Sequence, residues 1–295
     1  MEVNIQKYQA FVLTVQYGSF TKAAEILNYS QSGISRMIGD LEREWGLTLL
    51  ERGRGGVRLT SDGSRLLPYA RNLCEEYRKI QMEADSLRGI ETGVIRIGTF
   101  SSVAAHWLPN IIRVFQKDYP GIDYELLLGD YSEIEEWIAE GRVDCGFLRL
   151  PVRNDLEAVA LGSDRMMAVL PEGHPLAALD RVPLKDLCNE PFLLLEKDSN
   201  QEVAELFARE NLKPDVHFKT WDDYAIMSMV ESGLGISVLH ELILKRIPYR
   251  VAVRELDVPA CRTIVFAVRR QGCPSAAVRK FMEYLKYREL PVETE

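Results

Sequence analysis

Positive charge, cysteine, catalytic motifs and long apolar runs are all scarce in this 295-residue chain, and each scarcity narrows its function. No hydrophobic run approaches the roughly 20 residues that span a bilayer, and the opening MEVNIQKYQAF has neither the basic start nor the apolar core of a secretion signal. A cytoplasmic protein without membrane contact is expected. The five cysteines (Cys74, Cys145, Cys188, Cys261, Cys273) form no C-x-x-C, and no histidine cluster lies near them. That argues against a zinc site and against a disulfide framework. No metal or other bound cofactor is expected. No G-x-S-x-G elbow, P-loop or G-x-G-x-x-G following a strand occurs, and nothing pairs His174 or His106 with a nucleophile. The chain does not read as an enzyme.

Net positive charge is also missing. At −8 the whole chain is a poor non-specific binder of nucleic acid. The deficit is uneven: residues 1–90 sum to +1 and the remainder to −9. An acidic remainder is repelled by phosphate, so any DNA contact belongs to the first part.

What that part does contain is two short helical patterns joined by a break. Ala23, Ala24 and Leu27 mark the inner face of the first, and Ile34, Ile38 and Leu41 that of the second. Asn28, Tyr29 and Ser30 interrupt them, with Ser30 an apt N-cap. Gln31, Ser32, Ser35 and Arg36 then point outward near the second helix's start, where a helix-turn-helix meets base edges and phosphates. The small pair Ala23–Ala24 suits a steep crossing of two helices. Trp45–Gly46 ends the pattern, and LTLLERGRGGVRLT (47–60) reads as a hairpin carrying Arg52, Arg54 and Arg58 around three glycines. Thr60 caps a further helix, along which Leu66, Ala70, Leu73, Tyr77, Ile80, Ala84 and Leu87 recur at spacings of four and three. That seam predicts packing against a second helix and hence dimerisation, with a kink at Pro68.

Beyond Gly93 apolar strands alternate with helices: VIRIGTF (94–100), a helix from about 102 to 119, YELLLG (124–129), a helix 132–140 and VDCGFLRL (143–150). MMAVLP (166–171), PFLLLE (191–196), helices near 200–210 and 223–232, VHFKTW (216–221), GISVLH (235–240) and TIVFAVR (263–269) continue the pattern, which reads as a doubly wound α/β domain.

The run Phe11, Gly18-Ser19-Phe20, Ala23-Ala24, Leu27, Ser30-Gln31-Ser32, Ile34-Ser35, Ile38, Leu41-Glu42, Gly46, Leu49, Glu51-Arg52, Leu59-Thr60 and Gly63 resembles the N-terminal signature of LysR-type transcriptional regulators. Trp45 stands where that family usually has a smaller aliphatic residue, and the wing tip is unusually rich in glycine. Downstream, Ile95-Arg96-Ile97-Gly98, Leu108-Pro109, Phe115, Tyr119-Pro120, Gly141-Arg142-Val143-Asp144, His174-Pro175-Leu176 and Gly233-Leu234-Gly235-Ile236-Ser237 resemble the family's effector domain.

The resemblance implies an N-terminal α winged helix-turn-helix (1–60), a long linker and dimerisation helix (61–90) and a C-terminal α/β effector domain (91–295) similar to type 2 periplasmic binding proteins. Its two subdomains would be 91–162 with 267–295, and 163–266. It also implies a sequence-specific regulator that binds a double-stranded DNA operator as a dimer or tetramer, meets RNA polymerase, and responds to a small organic effector held between the subdomains. Some members sense oxidants through a cysteine pair. Cys261 and Cys273 are the nearest pair here, but an odd total and the apolar context of Cys145 favour ordinary buried thiols.

The expected DNA contacts are Ser30, Gln31, Ser32, Ser35, Arg36, Arg52, Arg54 and Arg58. Strand ends facing helix starts give the expected effector contacts: Thr99, Phe100, Ser101 and Ser102 at one, Lys197, Ser199 and Asn200 at another, Arg149 as a cation, and Trp221 and Tyr224 as an apolar wall. Two helix N-termini suit a carboxylate, while Glu196 and Asp198 leave a zwitterion or an amine open. A small-molecule-binding protein, or a hydrolase-like enzyme using Ser101 and His174, is the alternative without a DNA function.

Overall fold

A computed structural model describes residues 4–53, 56–87, 92–196, 201–270 and 274–289. The chain divides into two units, residues 1–90 with 140–142 and the rest, and each is taken by itself.

The first unit is built by well-capped helices. α1 (Ile5–Tyr17) starts at Asn4, whose side chain accepts from the Gln6 N–H, and stops at Gly18 in the left-handed region. α2 (Phe20–Leu27) is capped by Ser19 and closed by Asn28 at φ 56°. α3 (Gln31–Trp45) is capped by Ser30, which accepts from the Gly33 N–H, and closed by Gly46 at φ 67°. Such caps satisfy backbone groups that a helix end leaves open. The helices meet over Phe11, Ala23, Ala24, Ile34, Ile38, Leu41 and Leu49, all buried. Each large side chain there is worth about 2–3 kcal/mol of transfer free energy.

β1 (Leu50–Gly53) and β2 (Gly56–Leu59) pair antiparallel. Glu42 ties this hairpin to α3, its Oε1 accepting from the N–H groups of Leu49 (2.7 Å) and Leu50 (3.2 Å). α4 (Ser61–Leu87) follows. Thr60 accepts from the Gly63 N–H and donates to the Thr48 carbonyl, joining the helix start to the hairpin's foot. Only glycine fits at 63, because a Cβ would lie 2.2 Å from the Leu49 carbonyl oxygen. Pro68 lies within α4 and does not end it. Along the predicted seam Ala70 is buried, while Leu73, Tyr77 and Ile80 are exposed.

The second unit contains β3 (Thr92–Thr99), α5 (Ser101–His106), α6 (Leu108–Asp118), β4 (Gly121–Leu128), α7 (Tyr131–Ala139), β5 (Cys145–Arg149) and β6 (Leu156–Pro171). There follow β7 (Arg181–Val182), β8 (Pro191–Leu195), α8 (Glu202–Arg209), β9 (Asp215–Thr220), α9 (Asp223–Glu231), β10 (Ser237–His240), β11 (Val251–Leu256), β12 (Cys261–Arg269) and α10 (Ala276–Tyr284). The main sheet runs β4-β3-β5-β12-β6-β11-β7, with β10 also on β6. β6 joins two halves: Leu156–Arg165 pairs with β12, and Met166–Pro171 with β10 and β11. This curled mixed sheet gives the second unit a two-subdomain α/β architecture. β8 and β9 pair in parallel beside it.

The structure departs from expectation in three places here. The helix read from 102 to 119 is two, broken at Trp107, with Pro109 in the first turn of α6 where its missing N–H is harmless. β6 begins ten residues before the predicted 166, in a stretch whose mixed burial and Gly162 blur the apolar signal. β11 was not foreseen because all but its last residue are half-buried, which leaves no alternation to read.

Close packing aims α7. A Cβ on Gly98 or Gly146 would approach Ile134 Cγ2 to 2.8 or 2.7 Å, so β3 and β5 accept the helix against bare backbone. Tyr131, at the start of α7, is thereby held beside β12.

Candidate functional site: an exposed basic face and a buried charged cavity

On the first unit, Gln31, Ser32 and Arg36 are exposed at the start of α3, and Ser35 is half-buried on the next turn. Ser30 is partly committed: its Oγ accepts from Gly33 (3.1 Å) and lies 3.0 Å from Ser32 Oγ. Arg58 is exposed on β2. Among the described residues neither Arg36 nor Arg58 has a carboxylate within ion-pair distance, whereas Lys7, Lys22 and Arg43 of the same unit are paired. Arg52 lies on β1, and Arg54 falls outside the described residues.

In the second unit a cavity of about 60 Å³ opens between the ends of β3, β4 and β8 and the starts of α5, α7 and α9. Phe100, Ser101, Ser102 and Trp221, all expected from sequence, line it. Thr99 is fully buried and directs its hydroxyl at the Phe100 carbonyl (3.4 Å). Tyr224 lies off the lining on α9, and Lys197, Asp198, Ser199 and Asn200 fall outside the described residues. Arg149 is also off the lining. Its guanidinium faces Glu205 (3.4 Å) and Glu202 (3.7 Å) and stacks over the Tyr131 ring. It is therefore already matched by carboxylates.

The cavity's centre of charge is Arg262 of β12, buried with Asp164 of β6. Its Nε and Nη2 donate to Asp164 Oδ2 (3.0 and 2.6 Å), Nη2 also to Ser102 Oγ (2.8 Å), and Nη1 to the Tyr131 hydroxyl (2.6 Å). Tyr131 in turn donates to Glu202 Oε2 at 3.0 Å. The Phe100 ring lies under the guanidinium, 4.7 Å from centroid to Cζ. Burial opposes the Arg262 charge, but Tyr131, Asp164 and Glu202 more than offset it and raise its pKa. Desolvation raises Glu202 against the pull of Arg262 and Arg149. It also holds His240 well below the ordinary histidine range, helped by the same two arginines, so His240 is neutral.

Sequence reasoning missed Asp130, Tyr131, Asp164, Glu202, Asp223, His240 and Arg262. One signal was available: Arg262 is a lone cation at the head of the apolar run TIVFAV, and the predicted strand stopped one residue short of it. The thiols also differ from expectation. Cys145 is buried and Cys74 and Cys188 are half-buried, but Cys261 is exposed, and Cys273 lies outside the described residues. Among the described residues there is no His/Cys/Asp/Glu cluster suited to a metal, and no helix is long and apolar enough to cross a membrane.

A helix-turn-helix with a hairpin wing, followed by a helix and a two-subdomain cavity domain, defines a DNA-binding transcriptional regulator governed by an effector. Residues 5–64 match the bacterial regulatory helix-turn-helix proteins of the lysR family, and residues 88–289 match the LysR substrate binding domain. The chain belongs to the LysR family of transcriptional regulators. It is 31% identical over 287 residues to the HTH-type regulator YvbU of Bacillus subtilis, covering 96% of this chain and 98% of that one. To the probable HTH-type regulator LrrA of Synechococcus elongatus it is 32% identical, covering 96% and 97%. Among solved structures it is similar to HinK, a LysR family regulator from Pseudomonas aeruginosa, at 27% identity and TM-score 0.60, covering 97% of this chain and 98% of HinK. Members of this family bind DNA operators, oligomerise and bind small effectors, and they are generally not enzymes.

Proposed function

We propose that this chain is a cytoplasmic regulator whose DNA contact is made by the start of α3 and by the wing, with Gln31, Ser32, Ser35 and Arg36 at base edges and phosphates and Arg58, Arg52 and Arg54 on the backbone. The observation that carries this reading is the contrast in pairing. Arg36 and Arg58 are exposed and, among the described residues, without carboxylates, whereas the exposed Lys22 and Arg43 of the same unit are each paired with one. Unmatched guanidiniums on a recognition face release counterions on meeting phosphate. A near-neutral module binds weakly alone, so two copies joined along Leu73, Tyr77 and Ile80 of α4 would place two recognition helices on a two-fold operator. The cavity around Ser101, Ser102 and Arg262 is the effector site. Its occupation shifts the equilibrium between two arrangements of the subdomains, and so the spacing of the DNA-binding pairs and their approach to RNA polymerase.

The test is an electrophoretic shift on the DNA upstream of the coding sequence across a salt series. A specific shift that weakens on Arg36→Ala and again on Arg58→Ala supports the assignment. Full affinity in the double variant removes it.

A further inference from the structure

Two of the helix starts around the cavity, those of α7 and α9, already hold carboxylates of the chain itself, while α5 has no side-chain cap. At α7, Asp130 Oδ1 accepts from the Glu133 N–H (2.8 Å) and Glu133 Oε2 from the Asp130 N–H (2.9 Å). At α9, Asp222 Oδ1 accepts from the N–H groups of Tyr224 (2.9 Å) and Ala225 (3.3 Å), with Asp223 next to it. Glu202 opens α8 and joins the buried cluster. The positive ends of α7 and α9 are thus satisfied internally, and α5, of six residues, is the one short helix start left to the cavity's hydroxyls.

The balance of side-chain charge runs the same way. Arg262 is paired with Asp164 and lies 3.8 Å from Glu202, which Arg149 also approaches; Asp223 and Asp130 line the cavity as further carboxylates, and His240 adds no charge. Arg262 has four of its five N–H groups engaged, by Asp164, Ser102 and Tyr131, leaving little for an incoming carboxylate. Asp223 lines the cavity, receives the Ser101 hydroxyl, and has no cation within ion-pair distance among the described residues. Desolvation pushes it up to about 6 against the more distant pull of Arg262. His240, also on the lining, is buried, and among the described residues its Nε2 has no hydrogen-bond partner and lies 3.6 Å from Glu202. A neutral imidazole of this kind can accept from a donor-rich ligand. At the rim stands Trp221, 61% exposed, whose indole face is the best aromatic partner for a cation.

We infer that the effector of this chain carries a protonated amine, seated on the Asp223 carboxylate and covered by Trp221. This rests on the reading of the cavity as the effector site and deepens it. The ammonium donates to Asp223 and restores the balance of a cluster with more carboxylates than guanidiniums. A carboxylate-only effector would meet Asp223 and Asp130 with like charge. With about 60 Å³ to fill, the part of the ligand that enters has only a few heavy atoms, and any remainder extends past Trp221.

The experiment uses the full-length protein at pH 7.5 and constant ionic strength. Methylammonium, ethylammonium and ethanolammonium chlorides are compared with sodium formate, acetate and propionate, each titrated to 50 mM. Unfolding temperature and tryptophan fluorescence are recorded, with operator affinity measured in parallel. The expected result is a saturable rise in unfolding temperature and a fluorescence change with the ammonium series alone. Asp223→Asn should weaken that response at least tenfold and Trp221→Ala about threefold. The second substitution is at an exposed position and guards against a folding defect in the first. A saturable response to the carboxylates alone, no response to either series, or an undiminished ammonium response in Asp223→Asn would each overturn the inference. If carboxylates alone alter operator affinity, the effector reading stands and the amine assignment falls. If the untreated protein has no operator affinity, the regulator reading itself fails, whatever the cavity binds.

Discussion

Arginine is used in opposite ways in the two units. Arg36 and Arg58 stand exposed and, among the described residues, unmatched, whereas Arg262 is buried in a network that engages most of its donors. The first arrangement adds little to folding and reserves its charge for a polyanion. The second holds β6, β12, α5 and α7 together, because a buried guanidinium without partners is not tolerated. The same side chain is thus left available for binding where it is unmatched and serves architecture where it is matched. That contrast can be broken from either side.

The largest effect is expected at the buried end. Arg262→Leu leaves Asp164 as an uncompensated buried carboxylate, and should cost about 3–5 kcal/mol in denaturant unfolding. By contrast Arg36→Ala should stay within about 0.5 kcal/mol of wild type, as surface changes do. Equal losses in the two variants would dissolve the distinction.

Next is a purely steric change in the first unit. Gly63→Ala drives a Cβ into the Leu49 carbonyl, and overpacking of this kind typically costs about 1–3 kcal/mol. It should also loosen the wing on α3, so operator affinity should fall although no DNA-facing charge is altered. Unchanged unfolding would mean that the hairpin can shift away freely.

Ile80→Glu on the exposed seam of α4 should lower the mass seen by light scattering while leaving the helical circular dichroism of the protein near wild type. A retained oligomer would place self-association elsewhere.

A smaller effect with a characteristic sign is expected at Asp223. Its pKa in the fold, about 6, lies above the ordinary 3.8. Between those values the folded protein keeps a proton that the unfolded chain has released, so stability falls as pH rises through that window. Asp223→Asn removes this loss. The variant should melt higher than wild type at pH 7 and equally near pH 4, and a variant less stable at pH 7 would show that the ionised carboxylate is well satisfied in the fold.

The first unit could be read in advance because each of its devices is local. Ser19, Ser30 and Thr60 sit within three residues of the groups they cap, and Ile34, Ile38 and Leu41 betray a face by spacing alone. The cavity could be read only in part. Phe100, Ser101 and Ser102 follow directly from a strand that ends in hydroxyls, and Trp221 from another strand end. The network around Arg262 draws on α5, α7, β6, α8 and β12, and its bonds span 71 to 160 residues of sequence. No periodicity encodes such a meeting. Arg149 misled for the same reason: a strand-end cation looks like a ligand contact until Glu202 and Glu205 arrive from α8.

The exposed arginines of α3 and the wing are proposed to make the DNA contact. Its most direct test is the salt dependence of affinity for the upstream DNA, measured for wild type and Arg36→Ala. The expected result is a steep linear fall of log affinity with log salt, and a slope smaller by about one in the variant. An identical slope in the two proteins, or no binding at the lowest salt, would contradict it.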